Sequence, residues 1–229
     1  MVAELSKRSR VRRHPERGLY EREAIDAILD EALHCHVGFV VDAQPFVIPT
    51  IHVRVGNLLY LHGSPASRML RELGRGVDVC VTVTLVDGVV LARSVYNHSL
   101  NYRSAVVLGR ARAVEDRAEK LKALEAVVEH VCPGRTREAR GPKDEELAAT
   151  TVLALAIDEA SAKARTGPPK DFDADVDLPI WAGVIPLRLT AGPPETEDRV
   201  PAGVAVPAYA TDFRRSRRRG QRRDEELSR

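Results

Sequence analysis

Residues 77–94 carry the pattern that most limits how this chain can fold. Valines stand at every second position from 77 to 83, with small polar side chains between them. A period of two indicates a strand with one buried face. The Asp87-Gly88 dipeptide then predicts a type I′ turn, and residues 89–94 predict the returning strand. The pattern therefore favours antiparallel pairing of neighbouring strands.

Other runs extend this pattern along the chain. A turn is predicted at Gln44-Pro45 and a hairpin at Gly56-Asn57, and further strands are predicted over 37–42, 46–55, 58–62, 104–114, 150–157 and 183–189. Apolar residues at helical spacing predict a short helix near 25–33 and a second near 117–131, capped by Asp116. Many strands and few helices argue for a mainly β fold, an antiparallel barrel or sandwich. No Gly-x-Gly-x-x-Gly or P-loop pattern follows a strand, so a Rossmann unit is not expected.

Charge divides the chain into three parts. Residues 1–22 carry +4 and residues 214–229 carry +5, which leaves −7 for the middle of a chain whose net charge is +2. We therefore predict a basic mobile arm over 1–18, a folded domain over 19–190, and a Pro/Gly-rich extension with an Arg-rich disordered tail over 191–229. An acidic body is a poor platform for nucleic acid, and no specific nucleic-acid binding is expected.

The composition limits where in the cell we expect this protein. No apolar run approaches the ~20 residues that cross a bilayer, and the N-terminus lacks the apolar core of a secretory signal. The three scattered cysteines have neither disulfide nor zinc spacing, so we predict no metal site and a cytoplasmic protein. His34 and His36 flank Cys35, but we place them at a helix end, where their side chains would diverge.

The segment from Leu58 to Gly74 is the most informative for chemistry. A predicted strand ends at His62-Gly63, and Ser64 and Pro65 suit the start of a helix that Gly74 would end. A helix that begins just beyond a strand offers free amides to an anion. Ser67 and Arg68 would add a hydroxyl and a guanidinium to a phosphate. The alternative is a capped helix with a surface arginine.

Four segments resemble the FMN-binding split barrels related to pyridoxamine 5′-phosphate oxidase, and within them the branch of the 5-nitroimidazole reductases. The segments, in order, are Phe46-Val-Ile-Pro-Thr-Ile-His52-Val, His62-Gly-Ser-Pro-Ala-Ser67-Arg68, Asn101-Tyr102-Arg103-Ser104 with the strand after it, and Leu178-Pro-Ile-Trp181-Ala-Gly183. Members of this family often have Ser-Arg-Lys in the second segment, where this chain has Met69 in place of the lysine.

The resemblance implies an antiparallel split β-barrel that binds FMN as a homodimer. The phosphate would lie at Gly63, Ser64, Ser67 and Arg68, and the ring would lie along the backbone of Val47, Ile48, Pro49 and Thr50. Tyr102, Arg103, Ser104 and Trp181 would also reach the cofactor, Tyr102 and Trp181 from the second subunit. His62 would also contact the cofactor and would anchor or protonate a small-molecule electron acceptor, with a nicotinamide nucleotide as the electron donor.

Several alternatives stay open at this point. The protein could hold flavin without turnover, as a store or a redox sensor, or the barrel could bind haem or a deazaflavin. Arg103 could be an exposed residue at a strand end, and Trp181 could anchor the core. We expect His52 to be a structural histidine, His98 to lie at a substrate rim, and residues 161–169 to form a solvated turn or line the dimer groove.

Overall fold

The computed structural model describes residues 6–213, and in that range the chain forms ten strands and five helices. The strands are β1 (Gly18–Leu19), β2 (His34–Val41), β3 (Gln44–Val55), β4 (Leu58–Gly63), β5 (Asp78–Leu91), β6 (Ser99–Arg110), β7 (Arg112–Ala113), β8 (Thr151–Ala156), β9 (Glu159–Arg165) and β10 (Gly183–Pro186). The helices are α1 (Arg22–Glu31), α2 (Arg68–Gly74), α3 (Arg117–Val131), α4 (Asp144–Ala148) and α5 (Ala208–Thr211).

All strand pairs are antiparallel and form one open sheet in the order β1-β9-β6-β5-β2-β3-β4-β8-β7, with β10 added to one end of β5. The long strand β3 changes partner along its length. Its first eight residues pair with β2, and His52 to Val55 pair with β4. This exchange splits the sheet into two parts, which confirms the predicted antiparallel split-barrel class; the sheet does not close on itself.

The main core lies between the inner faces of β2, β5, β6 and β9 and the helices α1 and α2. The predicted alternation along β5 is confirmed, because Val79, Val81 and Val83 are buried. Helix α1 buries Ile25, Ile28 and Leu29.

A second cluster lies under α3, where Ala123 and Val127 pack on Val53 and Tyr60. The predicted cap of α3 is confirmed, because the Asp116 carboxylate accepts a hydrogen bond of 2.7 Å from the backbone N–H of Glu119. The Tyr60 hydroxyl donates to Glu119 at 2.8 Å, which ties the cap to the strand below.

Two predicted turns are wrong. Strand β5 runs straight through Asp87-Gly88, where the register with β6 shifts by one residue in a β-bulge. The same dipeptide suits a bulge as well as a turn, and here the strands on both sides hold the chain extended. The turn expected at Gln44-Pro45 lies at Asp42 and Ala43, whose φ angles of 50° and 62° fit a type I′ hairpin.

The segment 161–169 is also different from the prediction. Residues Glu159–Arg165 form β9, which pairs with β6 along its whole length and with β1 on its other edge. Its alanines, lysine and serine have low strand propensity, so this segment is extended because it pairs with a neighbouring strand on each edge.

The segments near both ends of the described range contact the folded domain. Ser6 and Arg8 contact Glu159, and the Lys163 ammonium donates to the Arg13 carbonyl at 3.0 Å, so the described part of the N-terminal arm lies along β9. Tyr209 on α5 bonds to Arg135 and Glu138. The Arg-rich end predicted for 214–229 lies outside the described residues. None of the helices between residues 6 and 213 has the length and apolar character of a membrane span.

Candidate functional site

The predicted strand-to-helix junction forms, but one turn later than expected. Ser67 caps α2 by accepting from the backbone N–H of Leu70, so Ser64 is not the cap. Ser64 instead holds a tight turn, in which its carbonyl accepts from the N–H of Ser67 at 2.9 Å and its hydroxyl from that of Ala66 at 3.2 Å. Gly74 lies inside the helix. The glycine with a positive φ, at 84°, is Gly76. Pro65 is exposed in the turn and not in the helix.

Arg68 is exposed at the first position of α2, and its guanidinium carbon lies 4.9 Å from the ring centroid of Phe46 on β3. A guanidinium over an aromatic face is held by cation–π attraction of about 0.5–1 kcal/mol at such a site. The structure thus brings together two of the predicted site segments, 46–50 and 62–68. Met69 points the other way and is buried in the core. The position of the family's lysine therefore adds no cation to this site.

The first half of β3 has one open edge. In a two-residue hairpin, Val41 and Gln44 exchange hydrogen bonds, so every second residue from Gln44 directs its backbone groups at β2. Pro45 and Pro49 occupy the alternate positions, where an N–H is not needed for pairing. Val47 lies between them, is exposed, and directs its N–H and C=O away from β2. No strand within residues 6–213 pairs with that edge.

His62 lies where β3 leaves β4. The last β3–β4 pair is His52 with Leu61, and His62 itself pairs only with Val152 of β8. Its Nδ1 is shielded from solvent and has no hydrogen-bond partner within residues 6–213. Burial lowers the pKa of His62 below its usual value, because it disfavours the charged imidazolium. This imidazole is therefore neutral near pH 7 and retains an unused nitrogen.

Arg103 and Ser104 lie in the middle of β6, which begins at Ser99, and not at the strand start that the sequence predicted. Both side chains are engaged within the chain. Arg103 donates to Glu31 on α1 at 2.5 Å and to Asp87 in the bulge of β5 at 2.7 Å. Hydrogen bonds to Asp87 and to Glu31 raise the pKa of this guanidinium. Ser104 bonds to the Lys163 carbonyl. The geometry thus gives Arg103 a structural role, and its contact with the flavin stays a prediction, as does that of Ser104 and Tyr102.

Trp181 is 66% exposed and is not a core anchor. Its indole lies against Gly183 at the start of β10, where an added Cβ would come within 2.8 Å of the ring atom Cζ2. The glycine of the Trp-x-Gly segment therefore gives the ring space to lie on the backbone. A cofactor contact across a subunit interface stays a prediction for this residue.

The remaining histidines have ordinary surroundings. His52 is fully buried and its Nε2 lies 2.9 Å from the Leu29 carbonyl, which confirms a structural role. His34 and His36 lie on β2 and not at a helix end, with ring centroids 5.4 Å apart. The part of the chain from 6 to 213 has no group of three His, Cys, Asp or Glu side chains placed to hold a metal ion. His98 is exposed and bonds to the Ser94 carbonyl.

A second polar cluster was not predicted from the sequence. Arg93, Asn101 and Arg165 bond to residues between 167 and 171, where the sequence analysis expected residues 161–169 to form a solvated turn or to line the dimer groove. Because β9 was not predicted, nothing in the sequence indicated that Arg165 ends a buried strand next to Asn101.

The open antiparallel sheet, the partner exchange in β3 and the helix that follows β4 define a split β-barrel. The family model for pyridoxamine 5′-phosphate oxidase matches residues 21–164, and the chain belongs to this family.

Two solved structures are similar to nearly the whole chain. The flavocytochrome Anf3 from Azotobacter vinelandii is 42% identical with a TM-score of 0.86, over 91% of this chain and 97% of that protein. An FAD and haem binding protein from Mycobacterium smegmatis is 40% identical with a TM-score of 0.81, over 84% of this chain and 95% of that one.

A more distant structure has the expected fold. A putative 5-nitroimidazole antibiotic resistance protein from Bacteroides thetaiotaomicron is 26% identical with a TM-score of 0.54, over 64% of this chain and 85% of that protein. A comparison with curated proteins finds no match.

Proposed function

We propose that this protein binds a flavin between the open edge of β3 and the start of α2, a place that we call the cleft, and uses it for redox chemistry on a small molecule. The observation that carries the proposal is the similarity of almost the whole chain, at 40% identity or more, to a flavocytochrome and to an FAD and haem binding protein. A flavin supplies reversible one- and two-electron transfer, and the protein supplies its binding, orientation and protonation.

The residues of the cleft fit the parts of a flavin. The exposed edge of β3 offers the N–H of Val47 to the polar edge of a flat ring, and the prolines on both sides prevent another strand from pairing there. Arg68 offers a guanidinium that no carboxylate within residues 6–213 neutralises, and this charge suits a phosphate. We therefore assign Val47 and Arg68 to the ring and the phosphate.

His62 is assigned to the reacting end of the cleft. A neutral imidazole with one unused nitrogen can accept or donate a proton at a bound acceptor. A nicotinamide nucleotide is the proposed electron donor, and the acceptor is a small molecule.

The flavin itself is predicted to be FMN, which needs only the single phosphate position at Arg68. The Mycobacterium protein, by its description, binds FAD, so identification of the bound nucleotide is part of the test. Chromatography of the flavin released by heat from the purified protein distinguishes FMN from FAD. A deazaflavin would be recognised in the same experiment.

Haem is a second candidate cofactor, and the similarity to a flavocytochrome and to an FAD and haem binding protein favours it. A histidine at the mouth of the barrel, such as His62, could ligate haem iron. A Soret band in the purified protein, lost in His62→Ala, would support this assignment.

A homodimer is also proposed. Apolar side chains are exposed on β3 and β5 and over residues 172–187, among them Val47, Val86, Ile180 and Trp181. Within residues 6–213 these side chains face water, and a second copy would cover them. Light scattering at micromolar protein concentration tests the proposal, and a monomer mass would contradict it.

Turnover is tested separately from binding. Stopped-flow mixing of the flavin-loaded protein with NADH or NADPH should bleach the flavin, and oxygen or a nitroaromatic acceptor should restore it. A bound flavin that neither nucleotide reduces would favour the non-catalytic alternative, a flavin store or redox sensor.

A further inference from the structure

Arg165 is a buried arginine whose partners are all neutral. It ends β9, is 7% exposed, and its guanidinium donates to the Asn101 side chain and to the backbone carbonyl of Pro168 at 3.2 Å. Asn101 is itself buried and donates to the Gly167 carbonyl at 3.1 Å. Residues 166–172, which we call the covering segment, thus close over Arg165.

No carboxylate between residues 6 and 213 forms an ion pair with Arg165, and Arg17 adds a second positive charge close by. Burial and the charge of Arg17 both lower the pKa of Arg165 from its usual value. Burying a cation without an anion is costly, and neutral carbonyls offset only part of this cost. Residues 6–213 therefore leave this charge uncompensated.

Two more donors lie unused on a stretch that contacts the covering segment, because Arg93 bonds to Asp171 and Tyr96, next to Asn97, stacks on Phe172. Arg93 Nε and Asn97 Nδ2, on the connection between β5 and β6, are shielded from solvent and have no acceptor within residues 6–213. Asp171 is the carboxylate here, and it already accepts from the Arg93 backbone at 2.9 Å and from Arg93 Nη1 at 2.8 Å. A buried donor without an acceptor loses its hydrogen bonds to water and destabilises the fold. The cluster is thus rich in donors and short of acceptors.

We propose that Arg93, Asn97 and Arg165, with Arg17 at the edge, form a binding site for the phosphoryl group of a small molecule. A phosphoryl group offers several strongly accepting oxygens and at least one negative charge, which are the two features that the cluster lacks. The proposal does not depend on flavin binding at Arg68, since none of these residues belongs to the cleft between β3 and α2.

The phosphoryl group could come from either of two kinds of ligand, and the same donors would bind it in both cases. It belongs either to a phosphate of a bound flavin or to a separate phosphorylated molecule. Inorganic pyrophosphate is a probe for both, because it carries the phosphoryl chemistry without the rest of either molecule.

Thermal unfolding of the full-length protein tests the site. At a hundredfold excess over its Kd, pyrophosphate should raise the Tm of the wild-type protein by about 5 °C. Arg165→Met should lose this rise, and Arg110→Met should keep it, because Arg110 is an exposed arginine paired with Asp78. A rise of equal size in Arg165→Met, or no rise in the wild-type protein, would overturn the proposal.

A second variant tests the site even if Arg165→Met does not fold. Asn97→Asp has the same shape and places a carboxylate among the donors, so it should unfold at a higher Tm without anion and respond less to pyrophosphate. An unchanged response in Asn97→Asp would contradict the site. A third outcome would also contradict the site. If pyrophosphate does not raise the Tm of the wild-type protein and Arg165→Met changes the oligomeric mass in solution, a second copy of the chain supplies the missing carboxylate.

Flavin titration separates the two sources of the phosphoryl group. If it belongs to the flavin, it is the second phosphate of FAD, so Arg165→Met should weaken FAD at least tenfold and leave FMN, whose single phosphate is assigned to Arg68, and riboflavin unchanged. If it belongs to a separate molecule, Arg165→Met should bind all three flavins as the wild-type protein does and still lose the response to pyrophosphate.

Discussion

Arg68 lies over the ring of Phe46, with 4.9 Å between the guanidinium carbon and the ring centroid. This contact joins the start of α2 to the first half of β3, two segments that the chain separates by a full hairpin strand. The aromatic face positions the guanidinium and leaves its N–H groups free to bind an anion, because no carboxylate within residues 6–213 pairs with it.

Arg68→Ala should weaken flavin binding by about 1.5–3 kcal/mol, the range for a hydrogen bond to a charged group. Fluorescence titration with FMN measures the change. Arg71→Ala is the matched control, since Arg71 is exposed one turn further along the same helix. Equal affinity of Arg68→Ala and the wild-type protein would refute the phosphate assignment.

His62→Ala should retain flavin and slow the reduction of the acceptor. The imidazole lies at the split of the sheet with an unused Nδ1, so its removal takes away a proton donor or acceptor but no predicted contact to the phosphate. Flavin absorbance and steady-state turnover measured on the same preparation separate the two effects. Undiminished turnover would show that His62 has a structural role.

His62 should also make stability depend on pH. Its pKa in the folded protein is lowered by burial, so between that value and the usual pKa of about 6.5 the unfolded chain binds more protons. The free energy of unfolding should therefore be highest above the unfolded pKa and fall as the pH drops through the folded one. Urea unfolding at a series of pH values should show a shallower fall in His62→Gln; identical slopes would contradict the assigned shift.

Arg103→Met should destabilise the fold by about 2 kcal/mol, because it leaves Glu31 and Asp87 facing each other without their shared cation. The partly exposed side chains keep this figure below that of a fully buried pair. Arg110→Met, which breaks an exposed pair, should leave the free energy of unfolding nearly unchanged. Lost flavin binding with unchanged stability would instead make Arg103 a cofactor contact.

The sequence was informative wherever local chemistry and the fold agree. The alternating valines of β5 and the Asp116 cap of α3 need only neighbours within a few residues, and both form as predicted. The bulge at Asp87-Gly88 and the strand β9 depend on partners far along the chain. A dipeptide that suits both a turn and a bulge, and a strand built of alanine and lysine, do not reveal those partners.

The candidate site shows the same division. The resemblance placed segment 46–50 and Arg68 at one site, because both belong to segments with recognisable residues. The observed cap, Ser67, lies three residues beyond the predicted cap, Ser64. Both serines suit an N-cap by sequence, and Ser67 takes this position because Ser64 forms the turn before the helix. The cluster around Arg165 could not be predicted, since its lack of a carboxylate partner is a property of the folded chain alone.

The absorbance spectrum of the protein as purified, followed by chromatography of the flavin that heat releases, tests the central claim most directly. We predict the visible bands of a bound flavin and release of about one flavin per chain, with a Soret band if haem is also held. A colourless protein that stays colourless and takes up neither FMN nor FAD on titration would contradict the account.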